Sequence, residues 1–105
     1  MNRLTQIIIT LLLTALAGCH PLPEADDDPQ GNFEALWHAV DEHYCFFADK
    51  GVDWQEVHDR YAPLVTPQMS GRQLFAVCSA MIGELRDGHT NLSAPFSTYY
   101  YRGWW

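Results

Sequence analysis

Apolar side chains recur along this chain at spacings of three and four, the period of a helix that buries one face. The clearest stripe is Leu74, Phe75, Cys78, Met81, Ile82 and Leu85. Before it, Ser70 and Gln73 have the form of a capping box, in which each side chain satisfies a backbone N–H at the helix start. Gly88 is the residue expected to take a positive φ and stop this helix, presenting Asp87, His89, Thr90 and Asn91 just beyond a packed element. Upstream, Asn32 is the expected N-cap of a helix with Phe33, Leu36, Trp37, Val40, Tyr44 and Phe47 on one face and Glu34, His38, Asp41 and Glu42 on the other. Gly51 interrupts, and Asp53 with Glu56 opens a shorter helix carrying Trp54, Val57 and Tyr61, which Pro63 ends.

From Leu92 the pattern changes to Phe96, Tyr99, Tyr100, Tyr101, Trp104 and Trp105, residues that favour strands. The reading is a mostly α protein: a small three-helix domain over 32–92, then over 93–105 the start of a strand region. One core is expected to join Leu36, Trp37, Val40, Leu74, Phe75, Cys78 and Ile82. A lone strand cannot satisfy its backbone or cover its aromatics, so the expectation is that the chain is truncated and its sheet continues past Trp105.

The N-terminus alters the picture. Residues 1–19 combine a polar start at Arg3, the apolar run Ile7 to Leu13 and the ending Leu16-Ala17-Gly18-Cys19, the layout of an export signal too short to span a membrane comfortably. Small residues followed by cysteine resemble a bacterial lipobox, so Cys19 is the expected lipidation site, anchoring the protein in the cell envelope, on the periplasmic side or at the surface. Residues 20–31, with Pro21, Pro23, Pro29 and an acidic run, lack apolar periodicity and read as a tether.

The 105 residues are 48% hydrophobic and 18% charged, ordinary for a globular chain. Without the signal, five basic face thirteen acidic side chains, a net charge of −8 that disfavours nucleic acid and anionic membranes. Cys45 and Cys78 sit on different expected elements in a compartment where disulfides persist; buried thiols are the favoured reading over a bridge.

Few motifs carry chemistry. His38 and His43 fall on different sides of a helix, and the chain has no His-Glu-x-x-His, no Cys-x-x-Cys, no Gly-x-Ser-x-Gly elbow and no Gly-rich phosphate loop. No metal or cofactor is implied. Asp87-Gly88-His89-Thr90 is the arrangement that suits catalysis, since a histidine on a rigid turn titrates near neutrality and can serve as a general base. From the residues alone, a structural role in which the imidazole braces the turn is the favoured reading.

The runs Asn32-Phe33-Glu34-Ala35-Leu36-Trp37, Tyr44-Cys45-Phe46-Phe47 with Gly51-Val52-Asp53-Trp54, and Leu85-Arg86-Asp87-Gly88-His89-Thr90-Asn91-Leu92 resemble the N-terminal helical domain of tail-specific, or carboxyl-terminal processing, serine peptidases. The similarity is greatest to the tricorn-core-like lipoproteins of Bacteroidetes. It implies a three-helix domain beside a larger catalytic core of the same polypeptide, a peptide or protein substrate, and His89 as candidate general base with Asp87, Gly88 and Thr90 as turn support. Gly88 stands where tricorn has a serine before that histidine, and other members use a serine–lysine pair that would leave His89 without a catalytic role. The nucleophile is absent here, which implies an inactive chain. A free-standing lipoprotein binding a partner through its aromatic surface is the alternative, and the coding sequence beyond Trp105 distinguishes the two.

Overall fold

The computed structural model describes residues 2–3 and 27–103. The export signal with Cys19, the first part of the acidic tether and Trp104-Trp105 lie outside the described residues. The described elements are four helices and a hairpin. Helix α1 is Pro29–His43, α2 Phe47–Lys50, α3 Trp54–Tyr61 and α4 Gly71–Gly83, with a 3-10 turn at Ala62–Leu64 and strands β1 Leu92–Ala94 and β2 Ser97–Tyr99. The three helices expected from the pattern are α1, α3 and α4.

Helix α1 starts earlier than the sequence suggests, inside the stretch read as tether. Its N-cap is Asp28, not Asn32: the Asp28 carboxylate accepts from the Gly31 N–H at 2.6 Å, and Pro29 occupies the first turn. Proline has no N–H to satisfy and a φ already set for a helix, so Asp-Pro is the stronger start. Asn32 is instead helical, its N–H donating to the Asp28 carbonyl at 2.9 Å. At the other end, Gly51 takes φ 63 and closes α2, a left-handed conformation that glycine adopts without steric cost.

Helix α3 is capped as its sequence predicts, the Asp53 carboxylate accepting from Glu56 N–H at 3.0 Å. Both halves of the α4 capping box form, with Gln73 N–H donating to Ser70 Oγ at 3.2 Å and Ser70 N–H to Gln73 Oε1 at 2.8 Å.

The core joins Phe33, Trp37, Trp54, Val57, Val65, Cys78, Met81, Ile82 and Leu85. At its centre α1 and α3 exchange two hydrogen bonds: Trp37 Nε1 donates to the Trp54 carbonyl at 3.0 Å and Trp54 Nε1 to the Trp37 carbonyl at 3.1 Å. The indoles lie parallel, 6.5 Å between centroids. Each buried ring thereby satisfies its one polar atom. Leu36, Val40 and Leu74 pack against this core half-buried.

Phe75 is a correction to the expected core. It is half-buried and its ring meets Phe96, in the hairpin turn, edge-on at 5.6 Å, where the Arg72 guanidinium also lies over the Phe96 ring. Helical spacing identifies a face but not where the opposing helix stops.

The aromatic tail is no lone strand. It folds back on itself, Leu92 opposite Tyr99 and Ala94 opposite Ser97, and leans on α4. The seat is tight: a Cβ at Gly83 would lie 2.8 Å from the Tyr99 hydroxyl. Among the described residues Cys45 and Cys78 are free thiols; Cys78 is buried as expected, whereas Cys45 is exposed. No helix among the described residues is long and apolar enough to cross a membrane.

Candidate functional site

The turn after α4 is built by tightening and then reversing the helix. N–H groups of Glu84, Leu85 and Arg86 donate to carbonyls three residues back, at 3.2, 3.1 and 3.1 Å, while the fully buried Leu85 anchors the turn in the core. The left-handed residue is Arg86, with φ 49, and not Gly88 as the sequence led us to expect. Arginine resists that conformation, and a non-local contact holds it there. The Arg86 guanidinium donates to the Lys50 carbonyl at 3.0 Å, and Lys50 Nζ returns a bond to the Arg86 carbonyl at 3.0 Å. The clasp joins α2 to the turn.

Asp87 holds the turn together through both of its carboxylate oxygens. Its Oδ1 accepts from the His89 backbone N–H at 2.9 Å and lies 3.2 Å from His89 Nδ1, and its Oδ2 accepts from the Tyr44 hydroxyl at 2.9 Å. Thr90 N–H closes the turn on the Asp87 carbonyl at 3.2 Å. The Asp87 side chain is 13% exposed, that of His89 89%.

These contacts fix protonation. The His89 backbone N–H, then Tyr44 and the imidazole, hold the Asp87 carboxyl below the usual carboxylate range, outweighing its partial desolvation. Burial, then the bond to Asp87, pushes the Tyr44 phenol up to about 12. At neutral pH Asp87 is therefore an anion that can only accept, so its contact with a neutral His89 favours the tautomer with the proton on Nδ1. An imidazole in that tautomer, backed by a carboxylate, can take a proton from a nucleophile and remain stabilised as imidazolium.

Asp87, Gly88 and His89 border a shallow depression of about 230 Å³ with Lys50, Arg86 and Tyr101. The structure thus brings Asp87, Gly88, His89 and Thr90 together on one turn. Tyr44, assigned by periodicity to the apolar face of α1, is the site residue that sequence reasoning missed. Its partner lies 43 residues away, and no local pattern signals that pairing. Of the other histidines, His58 is a structural residue, its Nε2 2.8 Å from Glu34 Oε1 and its ring edge-on to Trp37. Among the described residues no group of three or more His, Cys, Asp or Glu is placed to hold a metal ion.

Comparison with known proteins adds a lineage. Residues 25–83 match the family described as the tricorn protease C1 domain. The match ends with the last residue of α4, so the His89 turn lies just past it. The crystal structure of a candidate peptidase from Parabacteroides merdae superposes with a TM-score of 0.70 at 49% identity, covering 72% of this chain and 24% of that one. The chain therefore spans about a quarter of that protein. None of the curated proteins matches.

Proposed function

This chain belongs to the tricorn protease C1 domain family, and on that footing we propose that it is the N-terminal portion of a tail-specific-type serine peptidase, supplying His89 as general base to a serine on a downstream catalytic core. The observation that carries this reading is the Asp87–His89 contact, 3.2 Å at Nδ1, which pairs the imidazole with a carboxylate on the turn after α4. In the proposed reaction Nε2 accepts the serine hydroxyl proton as the oxygen attacks a peptide carbonyl, then returns it to the leaving amine. Asp87 keeps its negative charge throughout and stabilises the imidazolium. On this reading the nucleophile comes from the downstream core, so the chain alone is expected to be inactive.

The proposed setting is the cell envelope, with Cys19 lipidated and residues 20 to about 28 acting as spacer. The short apolar run and Leu-Ala-Gly-Cys ending support it. Mass spectrometry of the mature N-terminus tests the anchor: an unmodified chain cleaved elsewhere, from cells with intact lipoprotein processing, removes it.

The catalytic role is tested in the longer peptidase with His89→Ala and the neighbouring control Thr90→Ala. Loss of a positioned base lowers turnover by about 100-fold or more, with the melting temperature nearly unchanged. Wild-type turnover in His89→Ala would eliminate the role and leave a serine–lysine pair in the core as the working centre.

A further inference from the structure

We propose that Tyr44 is a positioning residue for His89: its hydroxyl fixes the Asp87 carboxylate, and the carboxylate in turn fixes the imidazole in the tautomer with the proton on Nδ1. The inference rests on the general-base reading above and extends it to a residue on a different element, in the link between α1 and α2.

The geometry assigns a separate task to each carboxylate oxygen. Oδ1 serves the His89 backbone N–H and Nδ1, at 2.9 and 3.2 Å. Oδ2 serves Tyr44, at 2.9 Å. A partial rotation of the carboxylate about its Cβ–Cγ bond would swing both oxygens out of line with their donors, Tyr44 on one side and the His89 ring and N–H on the other. The Tyr44 hydroxyl opposes that rotation because its own ring is wedged, tilted against Phe47 at 5.0 Å and edge-on to Phe46 at 5.9 Å.

Among the described residues, the other charged groups that border the depression have different tasks. Lys50 and Arg86 border the same depression but donate to each other's main-chain carbonyl, and neither can accept a proton from Nδ1. Tyr101 contributes to the wall of the depression, and it is Tyr44 whose hydroxyl bonds the carboxylate.

The test uses nitrogen NMR of the His89 ring in this chain, at a pH where the imidazole is neutral, so it involves no catalysis. The wild type should be mainly the Nδ1–H tautomer, opposite to the preference of a free histidine. Tyr44→Phe should lower the Nδ1–H to Nε2–H ratio by about fivefold, the factor carried by one ordinary hydrogen bond. Tyr61→Phe is the matched control. It also removes a phenol–carboxylate bond, 2.7 Å to Glu84, but one that does not involve Asp87, and should leave the ratio unchanged. A mainly Nε2–H wild type overturns the proposal whatever the variants do, and so does an equal ratio in wild type and Tyr44→Phe. In the longer peptidase Tyr44→Phe should lower kcat severalfold at constant KM, and Tyr44→His, which can still donate to Oδ2, should recover part of the loss. Failure of the tautomer shift removes Tyr44 from the site while leaving His89 a base; wild-type turnover of His89→Ala removes the base while leaving the tautomer as found.

Discussion

Replacing Trp54 by Phe would strike the centre of the core in a way that can be worked through in advance. The indole is 4% exposed, its Nε1 donates to the Trp37 carbonyl at 3.1 Å, and its ring stacks on both Trp37 and Phe47. Phenylalanine keeps a ring but loses the donor; the Trp37 carbonyl, inside α1, keeps its helical partner, so the lost hydrogen bond costs about 0.5–1.5 kcal/mol. The missing ring atoms leave a small cavity and weaken the stack, adding about 1 kcal/mol. A loss of about 1.5–2.5 kcal/mol is a large share of a small domain's stability and lowers its melting temperature by roughly 10 °C. Trp37→Phe should cost a similar amount because the pairing is reciprocal. The double variant should cost less than the sum by about 0.5–1.5 kcal/mol, since the stack can be lost only once. Urea unfolding followed by circular dichroism measures all three. Single variants within about 0.5 kcal/mol of wild type would refute a structural role for the paired indoles.

The same melts should separate two phenylalanines that look alike in the pattern: Phe33→Ala, at 1% exposure, should lose about 3–5 kcal/mol, and the half-buried Phe75→Ala only about 1–1.5 kcal/mol. In alkali, the raised Tyr44 pKa means that its contribution to stability is complete below pH about 10 and is lost as pH climbs towards about 12, so Tyr44→Phe should flatten that limb of the stability curve. In acid the sign reverses: the lowered Asp87 pKa contributes stability above the ordinary carboxylate range that disappears as pH falls through it, and Asp87→Asn should remove that part of the acid slope. A thiol reagent should modify Cys45 in the native protein and reach Cys78, whose thiol burial pushes up to about 11, only on unfolding; equal rates would contradict the packing.

Local signals were legible and non-local ones were not. The caps at Asp53 and Ser70 could be read because partner and donor lie three residues apart. The start of α1 was misplaced because an acidic, proline-bearing tract looks like a spacer by composition, while the Asp28-Pro29 pair within it is a helix start by chemistry. Arg86 was missed for a different reason. Glycine is the default for positive φ, and the arginine there is engaged in a two-way clasp with Lys50, 36 residues back, that no local pattern signals. The His89 turn was found by its residue types, whereas its dependence on Tyr44 needed the fold.

The two mutual pairings also dictate the order in which the molecule comes apart. Trp37 with Trp54 closes one ring of chain and Lys50 with Arg86 another, and the rings overlap between residues 50 and 54. The inner ring is sealed in the core; the outer one is exposed to water. Hydrogen exchange should therefore reveal a partial opening in which the outer clasp releases and the amides of the His89 turn exchange, while the α1 and α3 amides exchange only with global unfolding.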